Sequence, residues 1–159
     1  MTVAIVHDSK AGNGEKLANA MKEAFEAAGS EVVLGHVEKL APTEVANAQP
    51  ELLVVGAAIR AFHTSPSSKK WLAGLGTALK KSGKTIGHAA AFVTHGLPRD
   101  KAEGWGKRFR KKVQRTSGVS DVYPAWLSGK VMGQNGPLED GAEDAFRNHA
   151  TALLEWANK

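Results

Sequence analysis

The sequence predicts a three-layer α/β fold: a doubly wound parallel sheet of five strands in the order 2-1-3-4-5. Three observations carry that expectation. Strand-like apolar runs alternate with segments of helical spacing, which implies parallel βαβ units with right-handed crossovers. The third and fourth runs are apolar on both faces, as central strands covered by helices should be. The 159 residues suit one domain, 1–159, that buries roughly 70% of its accessible surface without a disulfide or metal staple.

The first strand is "TVAIVH" (2–7). The first helix runs from about Asn13 to Ala28, with Ala18, Met21, Phe25 and Ala28 as its inward stripe and Gly29 as its stop. "EVVLGHV" is the second strand, followed by a short helical piece at "PTEVANA". "ELLVVGAAI" is the third strand. The helix after it, "SSKKWLAGLGTALKKSG", turns Trp71, Leu72, Leu75 and Leu79 inward and ends at Gly83. "IGHAAAFVT" is the fourth strand, and "DKAEGWGKRFRKKVQR" a helix with Trp105, Phe109 and Val113 spaced by four as its core stripe. "DVYPAWLS" is the fifth strand, and a last helix buries Phe146, Ala150, Leu153 and Leu154.

Composition narrows the chemistry. There is no cysteine, which excludes disulfides, cysteine-ligated metal centres and a thiolate nucleophile, and fits a reducing compartment. No basic-then-apolar leader pattern opens the chain, and the longest apolar stretch, "LLVVGAAI", is far short of the ~18 residues that span a membrane. The expectation is a cytoplasmic protein without a transmembrane segment. The net charge of +5 is concentrated: residues 99–115 hold eight Lys/Arg and two acids, and the remainder is close to neutral. Such a distribution points to one positive face and away from general nucleic-acid coating.

In a sheet of this kind, ligands sit outside the carboxyl ends of the strands at the switch point beside the first strand. Three loops meet there: Ser9–Gly14, Ala57–Pro66 and His95–Arg99. In "SKAGNG" the two glycines let the backbone curl around an anion at the start of a helix. The donors would be the Ser9 hydroxyl, the Asn13 side chain and the amides from Lys10 through Ala11, Gly12, Asn13 and Gly14 to Glu15, with Lys10 adding charge. The plainer alternative is a turn with Asn13 as helix cap. A Walker loop fits less well because Glu15 and Lys16 follow Gly14, and a dinucleotide fingerprint lacks its third small residue at Leu17. Asp8 ends the first strand, but the sequence pairs no histidine or second carboxylate with it, and no catalytic side chain or metal site is assigned.

"IVHDSKAGNGEKLA" resembles the FMN-phosphate signature of flavodoxins. Ile5, Val6, Ser9, Gly12 and Ala18 match it, while His7 stands where an aromatic is usual and Gly14 where a threonine is usual. The resemblance implies a flavodoxin-like three-layer fold and FMN as cofactor. "GAAIRAFH" is similar to the matching loop of the menaquinone-dependent protoporphyrinogen dehydrogenases, with Gly56, Ala57, Ile59, Arg60 and His63 on the pattern and Ala58 departing from it. On this resemblance the flavin ring lies along the loop after the third strand. Amides from Ala58, Ile59, Arg60 and Ala61 would meet its polar edge. Phe62 would cover a ring face, or belong to the core or a lid. Arg60 would favour the negatively charged reduced ring, unless it is an ordinary arginine paired with an acid. Thr94, His95 and Gly96 would border the other side.

Three functions follow from these expectations. The first is an FMN-binding redox protein that transfers electrons between partners. The second is a protoporphyrinogen-type dehydrogenase with a quinone acceptor, although "SGKVMGQNGPLEDGAED" is shorter than that family's insertion. The third is a flavin-free binding module on the same fold. The basic helix, with Lys107, Arg108, Lys111, Lys112 and Arg115 on its outer side, is either a solvated face or the place where an acidic redox protein, or an anionic membrane surface, docks. Nucleic acid fits less well, since no base-stacking aromatics are interleaved.

Overall fold

The computed structural model describes residues 1–60 and 63–159. Its strands are β1 (Thr2–His7), β2 (Glu31–His36), β3 (Leu52–Arg60), β4 (His63–Thr64), β5 (Ile86–His95), β6 (Val119–Val122) and β7 (Leu127–Lys130). The helices are α1 (Asn13–Ala27), α2 (Pro42–Ala48), α3 (Pro66–Ser82), α4 (Arg99–Gln114) and α5 (Ala142–Ala157). The sheet runs β2-β1-β3-β5-β6, with β7 also on β5 and β4 on β3. All pairings are parallel except β3 with β4.

The anticipated topology is present with two additions that raise five strands to seven. First, the fifth strand is broken. Ala89 pairs with Val122 and Phe92 with Leu127, so four residues oppose two on β5. Pro124, which has no N–H for the ladder, sits inside that bulge. The second addition is β4, which folds back on the end of β3 with Ile59 opposite Thr64 and Arg60 opposite His63.

Strand alternation divides the core into two layers. Val3, Ile5, Leu52, Val54, Ala90 and Phe92 face α1 and α5, where Met21, Phe25, Phe146 and Leu153 are fully buried. Ala4, Val6, Leu53, Val55, Ala91 and Val93 face the other way, onto Trp71, Leu72, Leu75 and Leu79 of α3 and Phe109 and Val113 of α4. The helix stops fall at left-handed glycines, Gly29 (φ 90°) and Gly83 (φ 68°). Three stripe residues differ from expectation. Ala28 lies past the end of α1 and is exposed, and Leu154 is half-buried. Trp105 is only half-buried, because Gly106 takes the inward position and the Trp126 ring from the bulge occupies the space a side chain there would need. No described helix is long and apolar enough to cross a membrane.

Gly56 is a further point of close approach. It pairs with Phe92, and the Phe92 ring lies across it while meeting Phe146 edge to face, centroids 5.5 Å apart. A Cβ at Gly56 would overlap that ring. Gly56→Ala should therefore destabilise the fold by about 1–3 kcal/mol in urea unfolding. Gly87→Ala, where a Cβ meets nothing within 4 Å, should be neutral or slightly stabilising.

Candidate functional site

The carboxyl end of β1 carries His7 and Asp8 into the interior, both buried, and the chain leaves the sheet at Ser9. Two imidazoles grip that residue. The Ser9 amide donates to His7 Nδ1 at 3.2 Å, and His36 Nε2 donates to the Ser9 carbonyl at 3.1 Å. His36 Nδ1 accepts from the Glu38 amide at 3.1 Å, which assigns its proton to Nε2. The rings stand edge to face, centroids 5.4 Å apart. Burial first, and the neighbouring His36 second, push the His7 pKa below its usual value, so His7 is a neutral acceptor at pH 7.

Gly12, at φ 93°, turns the chain into α1, and its amide donates to Ser9 Oγ at 3.1 Å. The Ser9 hydroxyl keeps its own proton free to donate. No side chain caps the helix, so Asn13 is not the cap. It is buried instead beside Gly136, where a Cβ would come within 2.8 Å of Asn13 Oδ1. The amides of Lys10, Ala11, Asn13, Gly14 and Glu15 have no acceptor among the described residues. They lie at the positive end of the α1 dipole. Gly14 allows the tight approach: a Cβ there would stand 3.3 Å from Ser9 Cβ and 3.8 Å from Thr94 Cγ2.

The next strand end is tied to the first by charge. Asp8 Oδ1 accepts from the Ala58 amide at 3.1 Å. Arg60 donates through Nη1 to Asp8 Oδ2 at 3.4 Å and through Nη2 to the Asp8 carbonyl at 2.7 Å. The Asp8 side chain is 4% exposed and that of Arg60 31%. Asp8 thus has a partner 52 residues away, invisible to local pattern, and the Ala58 amide is already committed to it.

His95, at the end of β5, is also buried. Its Nδ1–H donates to the Leu97 carbonyl at 2.9 Å, and Nε2 accepts from the Ser128 hydroxyl at 2.7 Å. Burial lowers its pKa, and with both nitrogens engaged it is a fixed neutral strut.

Together these loops bound one open cleft of about 950 Å³, at the upper end of the ~300–1,000 Å³ typical of cofactor sites. Ser9, Lys10, Ala11, Asn13 and Gly14 form one wall, Ala58, Ile59 and Arg60 another, and Thr94, His95 and Gly96 a third. Gly12 belongs to the same turn without lining the cleft, and Ala61 and Phe62 lie outside the described residues. Sequence reasoning missed a fourth wall, Val131, Gly133, Gln134 and Asn135, whose only local signal is a polar, glycine-bearing run. Among the described residues no carboxylate lines the cleft, while Lys10 and Arg60 do. The arrangement suits an anion with a bulky body attached.

A second, smaller groove of about 270 Å³ lies beside α4, lined by Lys69, Arg108, Lys111, Lys112 and Arg115 with Thr64, Trp105 and Phe109. Lys107 is not part of it and pairs with Glu103 at 3.6 Å.

At the level of sequence, no family model and no curated protein matches the chain. Solved structures do resemble its fold. A flavodoxin from the domain Archaea superposes with a TM-score of 0.74 at 15% identity, covering 100% of both chains. Flavodoxin 1 from Bacillus cereus gives 0.73 at 13% identity, covering 98% of each. Rubredoxin oxygen:oxidoreductase from Desulfovibrio gigas gives 0.69 at 17% identity, where the match covers 99% of this chain and 36% of the other. The fold is flavodoxin-like.

Two stability experiments follow from the site's geometry. Asp8→Ala strands the Ala58 amide and removes the Arg60 partner, and should cost about 1–3 kcal/mol in urea unfolding. Asp8→Asn, which keeps an acceptor for Ala58, should cost less. Burial also lowers the pKa of His149, as it does for His7 and His95. On unfolding, all three return to about 6.5. The unfolded chain then binds more protons near pH 6, so stability is fully present above about 6.5 and falls as pH drops through that value. Urea midpoints measured from pH 7.5 to 5 should decline, with a shallower slope in His95→Gln.

Proposed function

We propose that this chain binds FMN in the cleft beside β1 and transfers electrons between partners. One observation carries the reading: among the described residues the amides of Lys10, Ala11, Asn13, Gly14 and Glu15 at the start of α1 have no acceptor, and the first four of these residues line, with Ser9, a cleft whose described lining holds no carboxylate. That donor set fits a dianionic phosphate monoester, held by backbone N–H groups and the helix dipole without any obligatory threonine. Gly14 contributes its amide where the flavodoxin signature has a hydroxyl, and Lys10 adds charge at the rim.

The attached ring system would extend between Ile59 and Arg60 on one side and Thr94, His95 and Gly96 on the other. Bound FMN would supply the one- and two-electron chemistry. The protein's part is to bind, orient and tune. Arg60 is clamped by Asp8, so its charge is fixed at the cleft but half-compensated; it favours added negative charge nearby less than a free arginine would. His95 stays neutral and serves as a wall. The cationic α4 face is where a redox partner docks, and the absence of cysteine suits a carrier of the cytoplasm.

A second reading, an FMN-dependent protoporphyrinogen-type dehydrogenase passing electrons to a quinone, is favoured by one feature: Arg60 of the "GAAIR" run lines the cleft. Turnover of protoporphyrinogen by the FMN-loaded protein with a quinone acceptor supports this version. Its absence leaves the carrier role.

Titration with FMN and with riboflavin tests the proposal. FMN should bind with Kd at or below about 1 μM, some −8 kcal/mol. Riboflavin, which lacks the phosphate, should bind at least about 100-fold more weakly, a difference of about 2.7 kcal/mol. A protein that stays colourless with FMN, or holds both flavins equally, overturns it.

A further inference from the structure

We infer that the groove between α4 and the α3 terminus is the docking site of an acidic protein surface, seated directly beside the cleft. Its flavin half rests on the FMN reading above; its docking half does not. Lys69, Arg108, Lys111, Lys112 and Arg115 line the groove, and none forms an ion pair with a carboxylate among the described residues. Lys111 and Lys112 also complement the C-terminal dipole of α4. That role does not account for Arg108 or for Lys69 on another helix. From Arg108 on α4 to Arg115 at its C-cap the groove cations are seven steps apart, about 10 Å along the axis, too long for one phosphate and matched to several carboxylates on a surface. Arg110 is absent from this set because its guanidinium is turned inward, donating to the carbonyls of Tyr123 and Val122.

The Arg108 guanidinium lies 4.2 Å from the Trp105 ring centroid, and the His63 ring meets Trp105 edge to face at 5.3 Å. Arg108 thus already occupies a face of Trp105 on which a nucleic-acid base would otherwise stack. A lipid surface is disfavoured too, because the large exposed hydrophobics among the described residues are Val33 and Met132, neither on α4.

Adjacency to the cleft comes from the β3–β4 ladder. Thr64 lines the groove, its ladder partner Ile59 lines the cleft, and neighbouring strands stand about 5 Å apart. A partner seated on the cations therefore abuts the wall of the candidate flavin site. A reduced partner docked there would stand against the cleft whose lining residues would hold FMN, the group that would accept its electron with no bond made or broken.

The probe is a purified acidic [2Fe–2S] ferredoxin. Oxidised ferredoxin added to the flavin-free, 15N-labelled protein should shift amides of α4, β4 and Lys69. Its affinity should fall as salt rises from about 0.01 M to about 0.15 M, over which screening shortens from about 30 Å to about 8 Å. The double variant Lys111→Glu/Lys112→Glu, with native circular dichroism, should bind about tenfold more weakly or worse. With FMN loaded, stopped-flow reduction by reduced ferredoxin should slow about tenfold or more in the variant, while reduction by photoreduced 5-deazariboflavin, a small uncharged donor, should not change. Failure of ferredoxin to bind, affinity insensitive to salt or to the double variant, shifts confined to other faces, or tighter binding of a short DNA duplex at equal salt would each overturn the inference. Docking by a protein that takes up no FMN would overturn the proposed function and leave the docking site standing.

Discussion

The corner after β1 keeps its amides free because three side chains, His7 and Ser9 within it and His36 from β2, hold its frame. A loop that satisfied its own N–H groups with its own carbonyls would have nothing left for a ligand. Here the carbonyl and amide of Ser9 are taken by His36 and His7, and Ser9 Oγ takes the amide of Gly12. Those three bonds fix the turn and leave the amides of Lys10, Ala11, Asn13 and Gly14, which line the cleft, without an acceptor among the described residues. Because His7 must be neutral to accept from the Ser9 amide, the same burial that lowers its pKa also preserves the loop geometry.

The second constraint is electrostatic. Asp8 sits directly behind the anion corner, where an unpaired carboxylate would repel a phosphate. Its two oxygens are absorbed by the Ala58 amide and the Arg60 guanidinium. This pair joins the ends of β1 and β3, sets their spacing, and keeps a fixed, partly compensated cation at the cleft wall. The charge pattern thus divides into a compensated pair inside the site and an uncompensated strip on α4 outside it, which is the arrangement that binding at one place and steering at the other require.

Much of this was legible in the sequence where the signals are local. Glycine and serine at 9–14 announce a strand-to-helix turn able to take an anion, and the two-sided apolar runs at β3 and β5 announce a central position. What was not legible depends on distant pairs. The Val131–Asn135 wall reaches the cleft because the last strand pair is broken at Pro124 and resumes at Leu127. A break of that kind reads as one continuous strand in "DVYPAWLS". Spacing by four placed Trp105 in the core, but Trp126 from the bulge fills the space over Gly106 and rotates the buried stripe by one residue. The bond between Asp8 and Arg60 has no local signature at all.

The most direct test of the anion corner is the 15N–1H spectrum of the protein as FMN is added. Large downfield shifts of the Lys10, Ala11, Asn13, Gly14 and Glu15 amides, with those of Ser9 and Gly12 nearly unmoved, are the outcome this account requires. FMN that binds while those five amides stay still would mean the phosphate lies elsewhere, and the account would be wrong at its root.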